Sequence, residues 1–284
     1  HGGRGYVQRG QQDCLYVNVF VPQDRGERLL IDKSTDLPTM FFIHGGAFHT
    51  GDSFSHGLYD PSGLVEKTGV IAVSSQYRLG PEGFMAHPAM RKLGSKYNLG
   101  LLDQRLAMKW VHRHIGSFGG DPNRVTIFGE SAGAMSICFH LTSPQSFPFF
   151  SGAIMQSPGC EGASNWIERS RAEAFAKAVS VSLNCTAAPP AVNVSSGSWA
   201  VGNVSLEPAS DEEAIKELEC LQQNMHRYES KSMTEWVDLI LPYGYVPDAP
   251  LLFAPVVDLE EWGLQKMPNE LVEDGQFNRV PIIT

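Results

Sequence analysis

Ser131 stands in Val125-Thr126-Ile127-Phe128-Gly129-Glu130-Ser131-Ala132-Gly133-Ala134, a β-branched strand that runs into G-x-S-x-G and then into small residues of helical character. That order puts a serine on a sharp strand-to-helix turn and lifts its hydroxyl clear of the sheet. Gly129 and Gly133 are required because a side chain at either place collides across so tight a turn. The pentapeptide alone is common. The strand before it and the helix after it make Ser131 a candidate nucleophile.

Acyl transfer puts negative charge on the former carbonyl oxygen, so fixed N–H donors must already point at it. Gly46 and Ala47 lie in His44-Gly45-Gly46-Ala47-Phe48, directly after the apolar run Thr39 to Ile43. A glycine turn there presents two adjacent backbone N–H groups, and Ala132, next after the serine, supplies a third. Alone, His44 to Ala47 is merely a turn. With an elbow downstream it is a candidate oxyanion hole.

The chain holds nine histidines and none is an obvious base. His44 belongs to the glycine turn and is expected to support its geometry. His49, His56 and His87 fall in loop segments, and nothing in their spacing singles them out. His112 and His114 are two apart on a helix and so diverge, which argues against joint metal ligation. No H-E-x-x-H or C-x-x-C occurs, so neither a metal nor a cofactor is expected. Asp258 and Glu260 are weak candidates for a catalytic acid. Cys138 and Cys160 are expected as buried or free thiols, since neither stands in an elbow.

The elements that must position these residues are legible in outline. Strands are expected at Leu15 to Val21, Thr39 to Ile43, Val70 to Ser75, Arg124 to Phe128 and Gly152 to Gln156. The middle ones lack polar alternation, as strands buried on both faces do, so the expected class is α/β, a mostly parallel sheet with helices on both faces. Leu101 to Ile115 is predicted helical, with Leu102, Leu106, Trp110 and Val111 as its apolar stripe and Asp103, Arg105, Lys109 and Arg113 on other faces. Gly119-Gly120-Asp121-Pro122 is expected to break the chain before the serine strand. Ala132 to Leu141 is the helix after the elbow, its N-terminus favouring negative charge at Ser131. Further helices are expected over Glu168 to Leu183 and Asp211 to Tyr228.

Bulk properties narrow the class. The 284 residues are 42% hydrophobic and 19% charged, with a formal net charge of -9, which argues against a nucleic-acid surface. No apolar run approaches the roughly 18 residues of a membrane span. His1 is not an initiator, so the chain is expected to be an internal piece of a longer precursor. Five cysteines leave at least one without a partner within the chain. Cys185 and Cys220 flank a small, polar segment that they are able to close as a disulfide loop. Three sequons, at Asn184, Asn193 and Asn203, lie in or beside it and point to glycosylation and a secretory route.

Several runs resemble one family. Gln12-Asp13-Cys14-Leu15-Tyr16-Val17-Asn18-Val19, Phe42-Ile43-His44-Gly45-Gly46-Ala47-Phe48 and Gln76-Tyr77-Arg78-Leu79-Gly80 are three of them. The fourth is the run Asn98-Leu99-Gly100-Leu101-Leu102-Asp103-Gln104-Arg105, continuing through Gly119-Gly120-Asp121-Pro122 to the elbow. They are similar to the type-B carboxylesterase and cholinesterase family of the α/β-hydrolase fold, in family order, from about residue 12 to residue 284. The resemblance implies that Ser131 forms the acyl-enzyme, that Gly46, Ala47 and Ala132 form a three-donor oxyanion hole, and that Glu130 is a buried acid beside the serine that influences the catalytic histidine. It also implies a small-molecule ester as substrate.

Departures from the family pattern matter too. Ala47 replaces a glycine common in cholinesterases but keeps its N–H. Met155-Gln156-Ser157-Pro158 differs from the usual Gln-Ser-Gly. The partner of Cys14 belongs to a longer N-terminal segment in similar proteins. Phe253 to Asp258 and Arg279 to Thr284 resemble the strand region before the family's catalytic acid. Residues 1-284 are therefore expected to be a single partial α/β-hydrolase domain, truncated before the triad acid and histidine, with a glycosylated surface insertion at about 184-210. A companion C-terminal polypeptide or a larger assembly is expected, since a fragment leaves a sheet edge open. Relatives of this fold that serve as inactive adhesion or scaffold proteins supply the alternative.

Overall fold

The computed structural model describes residues 13–22, 36–54, 57–157, 159–160, 166–186, 206–225, 235, 253–259 and 263–284. Its strands are β1 (Val17–Phe20), β2 (Leu37–Ile43), β3 (Ile71–Ser75), β4 (Gly120–Glu130), β5 (Gly152–Gln156), β6 (Ile167–Glu168), β7 (Val256–Val257) and β8 (Ile282–Ile283). Six of them form a sheet in the order β1-β3-β2-β4-β5-β8, and β6 pairs with β7 separately. Within the six-stranded sheet only β1 runs antiparallel, along β3; every other pairing is parallel. Parallel neighbours need crossovers, and helices supply them. They are α1 (Ser62–Thr68), α2 (Gly80–Phe84), α3 (Pro88–Lys92), α4 (Leu99–His114), α5 (Ala132–Thr142), α6 (Arg169–Ser182) and α7 (Asp211–Met225).

All five residues of β3 are buried, as an apolar parallel strand requires. Phe41, Ile43, Val73, Val125 and Ile127 join Leu101, Met108 and Val111 of α4 in one core, with Ile137 and Phe139 of α5. α5 is buried along its whole length, Ala132 to Thr142. A helix enclosed on every side must satisfy its polar side chains internally.

Three expectations need correction. The expected break before the serine strand is an irregularity within β4, which begins at Gly120: Gly120 pairs with Leu37, Asp121 takes the Asn123 N–H, and the register shifts before Thr39 meets Val125 and pairing runs on to Gly129. α4 buries only part of the expected stripe: Val111 is buried, and Leu102 and Trp110 are half-buried. Leu106 is 61% exposed, whereas Asp103 and Gln104 are buried with Leu101, Met108 and Val111. The polar pair turns inward because both have partners there: Asp103 takes the guanidinium of Arg78, and Gln104 meets Ser136 and His140. Finally, Cys138 and Cys160 are not thiols but a disulfide, with Cα atoms 5.4 Å apart. Nothing in their spacing announced it; the α5–β5 packing brings them together.

Cys185 and Cys220 form a second disulfide, linking the end of α6 to α7. Asn184 is exposed beside it in the left-handed region, φ 56°. Asn193, Asn203, His56, Pro158 and Glu260 lie outside the described residues, as does the expected helix beyond Met225. Among the described residues no helix is long and apolar enough to cross a membrane, and no group of three or more His, Cys, Asp or Glu is placed to hold a metal ion.

Candidate active site

The parallel register sets the site. Ile43 of β2 is the Cα partner of Gly129 of β4, so Gly45 and Ser131, each two residues on, leave the sheet side by side. A Cβ built on Gly45 meets the Cβ of Ser131 at 3.3 Å and the carbonyl oxygen of Glu130 at 2.7 Å. The glycine turn and the serine turn are therefore in contact.

Ser131 has φ 57° and ψ -122°, a conformation that side chains avoid. Such strain persists only where the surroundings over-determine it. Here the N–H of Ser131 donates to the carbonyls of both Gln156 and Ser157, each at 2.9 Å, at the end of β5. Its own carbonyl accepts from the Met135 N–H at 3.0 Å, which starts α5. Gln156 and Ser157 thus hold the elbow down. No motif announced that role.

The opposite turn is strained as well. Gly46, Ala47 and Phe48 have φ of 113°, 56° and 58° in succession. The Gly46 carbonyl closes the turn, accepting from His49 and Thr50 N–H at 3.1 and 2.9 Å. Phe48 is buried and packs on Phe84, ring centroids 4.8 Å apart, which anchors the turn.

His44 sits behind this turn, fully buried. Its Nδ1 is 2.8 Å from the Gly45 carbonyl, its ring stacks on Tyr77 at 4.3 Å, and the Tyr77 hydroxyl donates to its carbonyl at 2.7 Å. Burial lowers its pKa and outweighs the hydrogen bond to Gly45 and the pull of Asp52, so the ring is neutral at pH 7. Tyr77 is a site residue that no catalytic motif marks; its signals in the sequence are its place just after β3 and within the run Gln76 to Gly80.

Glu130 departs from expectation: it is exposed, not buried. As the last residue of β4, paired with Gln156, its side chain falls at the rim of the sheet. It still acts on its surroundings, helping burial to push up the hydroxyl of Tyr59. Ala132 is buried directly beneath the serine.

The remaining candidates are engaged elsewhere. His87 Nδ1 accepts from the Ala89 N–H, and its Nε2 is 3.3 Å from Glu217. His140 lies between Ser146 and Gln104. Asp258 is buried, accepting from Asn98 Nδ2 at 3.0 Å and from the Leu264 N–H at 2.8 Å. Among the described residues Cys14 has no disulfide partner, and burial and then Asp103 push its thiol up, away from the reactive thiolate.

A parallel sheet with a serine elbow facing a glycine turn defines an α/β hydrolase. The sequence model of the carboxylesterase family matches residues 3–284, and the chain belongs to that family. It is 48% identical over 151 residues to the para-nitrobenzyl esterase of Bacillus subtilis (strain 168), covering 53% of this chain and 29% of that protein. To the cholinesterase of Mus musculus it is 45% identical over 146 residues, 51% of this chain and 22% of that protein. A solved PNB esterase superposes with a TM-score of 0.68 at 31% identity, covering 99% of this chain and 50% of that one. A thermophilic PNB esterase gives 0.67 at 31%, covering 98% and 47%. The chain thus spans about half of these solved relatives and under a third of the curated ones.

Proposed function

We propose that the protein to which these residues belong is a serine esterase that hydrolyses carboxylic esters through an acyl-enzyme on Ser131. The observation that carries this reading is the contact between two strained turns: Gly45 against the Cβ of Ser131, with φ positive on both sides. Ser131 Oγ attacks the ester carbonyl, and the N–H groups of Gly46, Ala47 and Ala132 take the charge that develops on its oxygen. A histidine from chain outside these residues receives and returns the proton, an acid from the same part orients it and stabilises its charged form, and Glu130 at the rim influences that histidine. Alcohol leaves, water attacks the acyl-enzyme through the same base, and the acid is released. Relatives described as para-nitrobenzyl esterase, fumonisin B1 esterase and cholinesterase support an ester as the substrate class.

Two disulfides and an exposed Asn184 in a sequon support a secreted glycoprotein. The experiment is covalent labelling of the full-length protein by a fluorophosphonate probe, with turnover of p-nitrophenyl acetate. Ser131→Ala is expected to abolish both. Labelling that persists in that variant removes Ser131 from its role. A wild-type protein that neither labels nor turns over is a binding protein on a hydrolase fold.

A further inference from the structure

α5 begins at the elbow and is buried throughout, yet it carries Ser136 and His140 on the face of Ala132, at successive spacings of four. Their hydrogen bonds form one continuous chain. Arg105 Nε donates to Ser146 Oγ at 2.9 Å, and Ser146 Oγ lies 2.9 Å from His140 Nδ1. His140 Nε2 lies 3.1 Å from Gln104 Oε1, and Gln104 Nε2 donates to Ser136 Oγ at 3.1 Å. Ser136 Oγ then donates to the carbonyl of Ala132 at 2.9 Å.

A carboxamide oxygen only accepts, so Gln104 Oε1 places the proton of the neutral imidazole on His140 Nε2 and leaves Nδ1 to accept from Ser146. The Ser146 proton goes to His140 Nδ1, the proton on His140 Nε2 goes to Gln104, the amide proton goes to Ser136, and the Ser136 proton goes to Ala132. Each group gives once and receives once. That order needs a neutral imidazole, and burial, then Arg105, hold the His140 pKa well below its usual value. Gln104, Ser136, His140 and Ser146 are all fully buried.

We infer that Gln104 and His140 are positioning residues for the oxyanion donor at Ala132, acting through Ser136. The inference rests on the serine-esterase reading above. The Ala132 N–H points wherever the Ser131–Ala132 peptide is turned, and that peptide follows a residue held at φ 57°. The Met135 N–H fastens the carbonyl just before Ala132, and Ser136 fastens the one just after. With both flanking carbonyls held, the donor between them loses its freedom to swing. An oxyanion donor that is fixed before reaction needs no reorganisation during it.

The test uses the full-length protein with Ser136→Ala, Gln104→Leu, His140→Phe and His140→Gln, and Ser131→Ala as reference. Substrate is p-nitrophenyl acetate. A trifluoromethyl ketone, to whose carbonyl the serine hydroxyl adds to leave an oxyanion, reports the donors directly. Ser136→Ala, Gln104→Leu and His140→Phe are expected to lower kcat about tenfold with KM within about twofold, short of the 10²–10³ lost with a whole donor. Ketone affinity should fall by the same factor as kcat. His140→Gln, whose amide can still donate to Gln104, should recover most of it.

Should the larger changes prevent folding, Ser136→Ala decides, since it removes one oxygen and leaves a strong helix former. Unchanged kcat and ketone affinity in folded Ser136→Ala overturn the inference, as does a rise in KM alone. So does a fall in kcat that ketone affinity does not follow. If Ser131→Ala itself keeps turnover, the serine-esterase reading fails first. If Ser131→Ala is dead and the Ser136 variant is fully active, only the positioning role falls.

Discussion

The carbonyl oxygen of Ile43 occupies the place that a side chain on Gly133 needs. β2 and the first turn of α5 close to that distance because Ile43 and Gly129 are register partners and the elbow folds back over them. Gly133→Ala must therefore push backbone against backbone. A loss of about 2–3 kcal/mol is expected, at the upper end of overpacking costs. Urea denaturation of the full-length protein measures it, and an unchanged midpoint denies the close approach.

Cys138 and Cys160 staple α5 to the segment after β5, across a separation of 22 residues. Closing a loop of that size restricts the unfolded chain by about 3 kcal/mol. Cys160→Ser should lower the thermal midpoint, and the same buried Cys138 should then become alkylatable only on unfolding. Non-reducing peptide mapping that finds the two cysteines unpaired in wild type contradicts the assignment.

Glu217 of α7 is buried among positive and hydrogen-bonding groups. Burial alone raises its pKa, but His87, Lys177 and Ser180 outweigh that and bring it from 4.5 to about 2. Lys177 Nζ reaches both carboxylate oxygens, at 2.8 and 2.9 Å. A carboxylate depressed in the folded state stabilises above its unfolded pKa and loses that contribution as pH falls through its folded one. Stability owed to Glu217 should thus fade between about pH 4.5 and 2. Glu217→Gln should flatten the stability profile in that window; a profile that keeps its slope speaks against the assignment.

Asn98 stands at the first position before α4 at φ 54°, where its side chain makes no cap to the helix and instead completes β7 from the side. Its Oδ1 accepts from the Val256 N–H at 2.7 Å, and its Nδ2 donates to the Val256 carbonyl at 2.8 Å and to Asp258. Asn98→Ala leaves these buried groups unpaired and is expected to cost about 3 kcal/mol. Asn98→Asp should be worse at pH 7, because a carboxylate cannot donate to Val256 and then faces Asp258. Equal midpoints for the two variants in chemical denaturation would count against this clamp.

What the sequence determined by itself is local. Val125 to Ala134 contains a strand, a turn that only small neighbours permit, and a helix, so the elbow follows from nearest-neighbour sterics. The same holds for Gly46 after β2, and for the apolar runs that became β2, β3 and β5. Tertiary structure decided whatever depends on partners distant in the chain. α4 shows why: its apolar residues suggested one face, yet Arg78, Ser136 and His140 offered partners to Asp103 and Gln104, and satisfying buried polar groups outweighed exposing Leu106. Cys138 met Cys160, and Glu130 reached the rim, for the same reason. Side-chain pattern fixes an element's type, but only packing fixes which of its faces has company.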